Sequence, residues 1–290
     1  MSHLPPDPTL GFRLPLPSPP LNDLRQHCRA NLESACHDSV NGSGLRRQRF
    51  ASSTRVRAPL VAKEPRYAAR EDTMATPRNV IIHGDCLNIL PTLAPRSVNF
   101  VLTDPPYIAR YRSRDGRSLA NDDNDRWLEP AFAELYRILE RDSFCVSFYG
   151  WPSADKFLAA WRSAGFRPVA HLVFVKCYAS ATRFVRYQHE QAYVLAKGRP
   201  DMPREPIADV IAYDYTGNRL HPTQKPVSAL TPLVRAFSRE RGIVLDPFAG
   251  SGSSLIAASL LGRRYLGIEL DARYHAAAAE RLRRECRQVA

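Results

Sequence analysis

The chain has 290 residues, 44% of them hydrophobic and 24% charged, with a formal net charge of +12. That length suits one domain with a good core plus a tail, and the composition is that of an ordinary globular protein. No apolar run approaches the roughly 18 residues needed to span a bilayer, which argues against a transmembrane helix, and no membrane partner is expected. The positive surplus favours a polyanionic partner, because neutralised phosphates release their counterions.

The six cysteines (28, 36, 86, 145, 177 and 286) show no Cys-x-x-Cys spacing, and no secretory leader is visible. They read as reduced thiols of a cytoplasmic protein, and no metal site is expected.

Residues 1–73 are rich in proline and arginine and poor in apolar periodicity, so they read as a disordered extension. Composition shifts near Met74, and one hypothesis is that Met74 is the true start and the preceding stretch is upstream reading frame; the other is that residues 1–73 belong to the protein. Residues 74–290 then form the catalytic domain.

From Asn79 strands alternate with helices. Val80–Ile82 is a strand, Cys86–Leu93 a short helix, Val98–Thr103 a buried strand and Leu128–Glu140 a helix. Phe144–Tyr149 is a strand, Ala154–Ala164 a helix stopped by Gly165, and Val169–Val175 and Gln191–Ala196 are strands. Residues 198–219 read as polar and irregular. Pro226 opens a helix to about Ser238, Ile243–Asp246 is a strand, Ser253–Leu261 a helix and Arg264–Ile268 a strand. Asp271 caps a last helix. These seven strands predict a doubly wound, mainly parallel, Rossmann-like α/β sheet with helices on both faces.

Two loops carry the chemistry. Asp104-Pro105-Pro106-Tyr107 follows a buried strand. Proline has no N–H and holds its predecessor extended, so Asp104 and the Pro105 carbonyl can present two acceptors in a stiff geometry. Two acceptors can grip both hydrogens of a base amine, and Tyr107 can stack on the base. A proline turn with a capping aspartate has the same sequence in isolation.

The second loop is Asp246-Pro247-Phe248-Ala249-Gly250-Ser251-Gly252-Ser253. It joins a strand to a helix, and its glycines let the backbone come close to a ligand. Leu255 stands where a dinucleotide fingerprint wants its third glycine. Glu269, one βα unit later, is placed to accept both hydroxyls of a ribose, which points to an adenosyl cofactor. Both loops lie at strand carboxyl ends, where open α/β sheets bind ligands.

With these motifs the chain resembles the amino-methylating DNA methyltransferases of the permuted β group, over about residues 79–287. That family places Asp-Pro-Pro-Tyr before its S-adenosylmethionine loop, as here. The resemblance implies a catalytic role for Asp104, Pro105, Pro106 and Tyr107. It implies cofactor contacts from Asp85 and Cys86 in Ile82-His83-Gly84-Asp85-Cys86, and from Asp246, Phe248, Ala249, Gly250, Ser251, Gly252 and Glu269. His221-Pro222-Thr223-Gln224-Lys225-Pro226 matches the stretch before the glycine loop, and Lys225 suits the methionine carboxylate.

His-Glu before a strand is a further family feature, here His189-Glu190, and two readings of His189 stand: a contact to the base, or, more commonly for a lone histidine, a simple hydrogen-bonded residue. Residues 108–127, with five arginines and Tyr111, and the short interval 198–219 are the expected DNA-recognition segments. Double-stranded DNA is the implied substrate, with the target base flipped. Adenine N6 is favoured because Asp heads the loop; cytosine N4, an RNA or protein-glutamine methyltransferase, and a silent DNA-binding protein stay open as alternatives. The resemblance leaves room for a homodimer and for a restriction enzyme as partner.

Overall fold

The buried run Val98–Thr103 forms β2, the strand around which a computed structural model of the chain is built; every one of its six residues is buried. The structure describes residues 75–111, 119–181, 184–218 and 220–286. The reading of residues 1–73 as a disordered extension, and of Met74 as the start, lies outside them. So do residues 112–118 and Arg219 of the two expected recognition segments.

The strands are β1 (Val80–His83), β2, β3 (Leu139–Phe148), β4 (Arg167–Lys176), β5 (His189–Lys197), β6 (Val210–Tyr213), β7 (Ile243–Asp246) and β8 (Arg264–Glu269). They make one eight-stranded sheet in the order β1-β8-β7-β2-β3-β5-β4-β6. Only β5 runs against the rest, pairing antiparallel with both β3 and β4.

The predicted seven strands are therefore eight. The addition is β6, which pairs parallel to β4 within the segment read as irregular. Four residues with one buried side chain, Tyr213, give too short an alternation to stand out in sequence. β3 also begins five residues earlier than its apolar run, because Leu139 pairs with Val98 directly after a helix.

The helices are α1 (Cys86–Ile89), α2 (Leu128–Ile138), α3 (Ala154–Ala164), α4 (Val227–Phe237), α5 (Ser253–Leu260) and α6 (Ala272–Cys286). In α2 the buried residues Leu128, Ala131, Phe132, Leu135 and Ile138 recur at helical spacing. With Phe157 and Trp161 of α3 they cover one face of the sheet. Leu230, Leu233 and Val234 of α4 and Ala257 and Ala258 of α5 cover the other. Leu282 of α6 packs on Leu255 and Ile256 beside them.

The chain winds outward in both directions from one neighbouring pair. β2 pairs parallel with β7, Phe100 opposite Val244 and Val101 opposite Leu245. Asn99 Oδ1 accepts the Ile243 amide at 2.5 Å and ties the starts of these two strands. Their carboxyl ends are the switch point of the sheet, where the two loops emerge side by side. Among the described residues no helix is long and apolar enough to cross a membrane.

Close packing of α5 on β8 depends on Gly267. A Cβ there would lie 2.4 Å from Leu255 Cδ1 and 3.2 Å from both Ala249 Cβ and Ile81 Cγ1. Gly267→Ala is therefore expected to destabilise the fold by about 1–3 kcal/mol through overpacking. Chemical denaturation checks this, and an unchanged midpoint would show that Leu255 has room to turn away.

Candidate active site

Where β2 ends, the chain turns through Asp104 to Tyr107. The loop sits on Gly150: a Cβ on that glycine would come within 2.7 Å of both Tyr107 Cβ and the Tyr107 carbonyl oxygen. The Tyr107 side chain points inward. Its hydroxyl lies 3.0 Å from Asp104 Oδ1 and 3.2 Å from Glu190 Oε2, each of which can accept its hydrogen.

Lys225, only 6% exposed, donates to Asp104 Oδ2 at 2.7 Å and to the Tyr107 hydroxyl at 3.2 Å. Its ammonium also lies over the Tyr107 and Phe148 rings, 5.3 and 4.9 Å from their centroids. Lys176, 4% exposed, ion-pairs with Glu190 Oε1.

These groups shift one another. Burial pushes the Asp104 carboxyl above the usual range, against the pull of Lys225. Burial also acts upward on Glu190, but Lys225 and Lys176 together outweigh it and hold that carboxyl below the usual range. Burial, then the Asp104 and Glu190 charges, push the Tyr107 hydroxyl well above the usual phenol range, so it stays protonated. Tyr213 of β6 is raised in the same way, first by burial and then by Glu190 and Asp104.

The glycine loop is braced from below. Asp246, buried at the end of β7, accepts the Phe248 amide at 3.1 Å and the Ser254 hydroxyl. Arg281 of α6 donates to the Ser251 carbonyl at 3.2 Å and to Ser253 Oγ at 2.9 Å. Gly250 and Gly252 have φ of 51° and 75°. Glu269, at the end of β8, accepts the Gly250 amide on one oxygen and the Asp271 amide on the other, both at 2.8 Å. Burial raises its carboxyl too.

One cleft joins the two loops, about 990 Å³ including its open mouth. Asp104, Pro105, Pro106, Tyr107 and Lys225 line it together with Asp85, Cys86, Phe248, Gly250 and Glu269. A smaller adjoining pocket takes in Asp246, Ala249 and Ser251. Gly252 lines neither and opens α5 instead.

Asp85 caps α1 through the Leu87 amide at 2.9 Å. Burial pushes the Cys86 thiol up to about 12, so it stays a neutral thiol. Ala109, Tyr111 and Asn121 of the segment 108–127 line the cleft as well, whereas the described residues of 198–219 do not.

Three placements go beyond the sequence reading. Lys225, expected at the methionine carboxylate, has its ammonium on Asp104 and Tyr107. His189 is exposed, and it is Glu190 that turns into the site, since neighbouring strand residues face opposite sides. Asp122, buried in the loop beyond Tyr107, accepts the Ala109 amide at 3.3 Å and the Tyr111 amide at 2.6 Å and folds that loop along the cleft. Strand alternation could have separated Glu190 from His189. Nothing in the sequence marked Lys176 or Asp122.

A family model described as DNA methylase, of the N6/N4 methyltransferase type, matches residues 98–280. The chain belongs to this family. YubD of Escherichia coli (strain K12), a methylase-family protein, is 53% identical over 201 residues, covering 69% of this chain and 88% of that one. The type II methyltransferase M.HinfI of Haemophilus influenzae is 24% identical over 251 residues, covering 71% of this chain and 68% of its own. Among solved structures, TTHA0409 of Thermus thermophilus, named as a DNA modification methylase and complexed with S-adenosyl-L-methionine, superposes with a TM-score of 0.57. It shares 25% identity and covers 71% of this chain and 93% of its own. The sheet is thus the Rossmann-like fold of methyltransferases, with eight strands in this DNA methylase.

Burial pushes the Asp246 carboxyl up to about 7, against the pull of its hydrogen bonds, from an ordinary 3.8. The folded methylase therefore holds this proton more tightly than the unfolded chain does. The resulting stabilisation is full below the unfolded value and is lost as pH rises toward 7. Asp246→Asn keeps an acceptor and cannot ionise. It is expected to gain on the wild type as pH is raised from about 5 to about 8, measured by denaturant unfolding. An equal difference at both pH values would contradict the shift.

Proposed function

We propose that this DNA methylase transfers a methyl group from S-adenosylmethionine to adenine N6 of a base flipped out of double-stranded DNA. The observation that carries this reading is that Asp104 and Tyr107 line the same cleft as Gly250 and Glu269.

The cleft fits the cofactor. Glu269 uses one lone pair on each oxygen for a backbone amide and keeps acceptor capacity for two ribose hydroxyls. Gly84, Asp85 and Phe248 offer backbone, a carboxylate edge and a ring face to the adenine. When bound, this group supplies an electrophilic methyl carbon on a sulfonium.

The protein's own work is on the amine. The nitrogen lone pair of an aromatic amine is delocalised into the ring. Asp104 Oδ1 and the Pro105 carbonyl accept its two hydrogens, favour a pyramidal nitrogen and free the lone pair. Tyr107 and the two prolines fix the plane of the base, so that positioning supplies much of the rate. The nitrogen sheds a proton as it gains the methyl group, and Asp104 Oδ1 is the atom placed to take it. Its raised affinity for protons suits that task.

An amine inside a duplex cannot reach a partly buried carboxylate, so the base must leave the stack. Exposed groups suited to DNA are present: Trp151, 59% exposed, stacks on Tyr187 with ring centroids 6.2 Å apart, and Arg110, between the cleft-lining Ala109 and Tyr111, is exposed. Adenine is preferred over cytosine because an aspartate heads the loop.

The test is labelled methyl transfer to unmethylated plasmid, with tRNA and protein as controls, followed by nucleoside analysis. N6-methyladenine is the expected product, and N4-methylcytosine would reassign the base. Asp104→Ala is expected to lose about 10²–10⁴-fold in rate while still binding cofactor. Loss of cofactor binding instead would mean that the two loops have exchanged roles.

Turnover requires ionised Asp104, and its pKa is raised. The rate should therefore fall on acidification at a pH above the ordinary carboxylate range of about 4. An acid limb at the ordinary value would remove Asp104 as the titrating group.

A further inference from the structure

The Tyr107 hydroxyl has one hydrogen and two carboxylates within reach. When it donates to Asp104 Oδ1, it occupies the oxygen that the target amine needs. When it donates to Glu190 Oε2, that oxygen is free. We propose that Glu190 is a positioning residue that draws the Tyr107 hydrogen away from Asp104 and so opens Asp104 Oδ1 to the amine. This inference rests on the proposed amine methylation.

The surroundings are arranged for such an exchange. The groups run in series as Lys176, Glu190, Tyr107, Asp104 and Lys225, with an ammonium at each end. Lys176 holds Glu190 by Oε1 and leaves Oε2 toward the hydroxyl; Lys225 holds Asp104 by Oδ2 and leaves Oδ1 toward it. Lys225 also donates to the Tyr107 oxygen, so the hydroxyl can turn its hydrogen either way without losing that bond.

The two acceptors lie at nearly equal distances, 3.0 and 3.2 Å. Neither position of the hydrogen is therefore much favoured by geometry. A target N–H arriving at Oδ1 adds a donor there and tips the hydroxyl to Glu190. Of the remaining titratable neighbours, Asp246 interacts with Asp104 from the end of β7, whereas Tyr213 and Tyr178 are themselves held protonated by burial and by Glu190. These tyrosines add no charge to the array.

Glu190→Gln keeps the shape and removes the charge. Single-turnover methyl transfer to duplex DNA should slow about tenfold or more, the scale of a hydrogen bond to a charged group, with cofactor KM little changed. In a Tyr107→Phe background, where there is no hydroxyl to compete for, Glu190→Gln should cost nothing further.

Effects that multiply across the two backgrounds would overturn the proposal, and so would a wild-type rate in Glu190→Gln. The stranded Lys176 ammonium is controlled by Glu190→Gln/Lys176→Met: a defect that persists there supports the proposal, and one that vanishes assigns it to the stranded charge. Thermal melting of each variant reports folding. A wild-type protein that transfers no methyl group to DNA would sink the proposed function itself; an active wild type with multiplying effects sinks only this role for Glu190.

Discussion

The parallel pairing of β2 with β7 is the constraint on which the site depends. Two strands far apart in sequence end at the same edge of the sheet, and each ends on an aspartate: Asp104 just past β2, Asp246 as the last residue of β7. Adjacent parallel strands lie about 4.8 Å apart. The loops that leave them cannot be far from each other, whatever their own conformations. A change of register by one residue would turn Asp246 to the other face of the sheet and release the glycine loop from its Phe248 and Ser254 anchors.

Burying acids at that edge is costly, and the two loops meet the cost differently. Asp246 is stabilised by a hydroxyl and an amide, with no cation beside it, and its carboxyl is raised to about 7. It serves as a fixed acceptor that shapes a turn. Asp104 and Glu190 are paired with lysines, and the two acids and two ammoniums sum to zero charge. A neutral array of paired charges can stay ionised while partly dehydrated, which is what an acceptor for an N–H requires. The sheet supplies this pairing, since β4 brings Lys176 and the antiparallel β5 brings Glu190 beside it.

Much of the fold was legible because the apolar periods are strong. α3 runs from Ala154 to Ala164 as its pattern predicts, and β2 and β7 have the predicted limits. β6 was not legible, because four residues with a single buried tyrosine carry almost no alternation. The two loops of the cleft stood out because each gathers its candidate groups into consecutive residues. The array behind Tyr107 did not, because its members come from four separate segments and meet only in the folded chain. Lys225 shows the difference: its place before α4 suggested an anion partner, and the nearest anion is a side chain of the protein, Asp104.

That pairing bears on how the methylase separates binding from chemistry. Lys225 is buried against Phe148 and held by two oxygen partners, so moving its ammonium to a cofactor carboxylate would strand Asp104 without a counter-charge. Breaking a buried pair from one side costs far more than the pair contributes when intact. Lys225 is therefore tied energetically to the Asp104–Tyr107 loop, and the proposed function leaves the glycine loop to hold its ligand by backbone and by Glu269. The proposed function would divide labour across the cleft, with the charged Asp104 loop serving a proton-bearing amine and the glycine loop and Glu269 serving a ligand with hydroxyls. The two loops are nonetheless coupled, because the Asp104 charge acts on Asp246, the residue that anchors the glycine loop through the Phe248 amide.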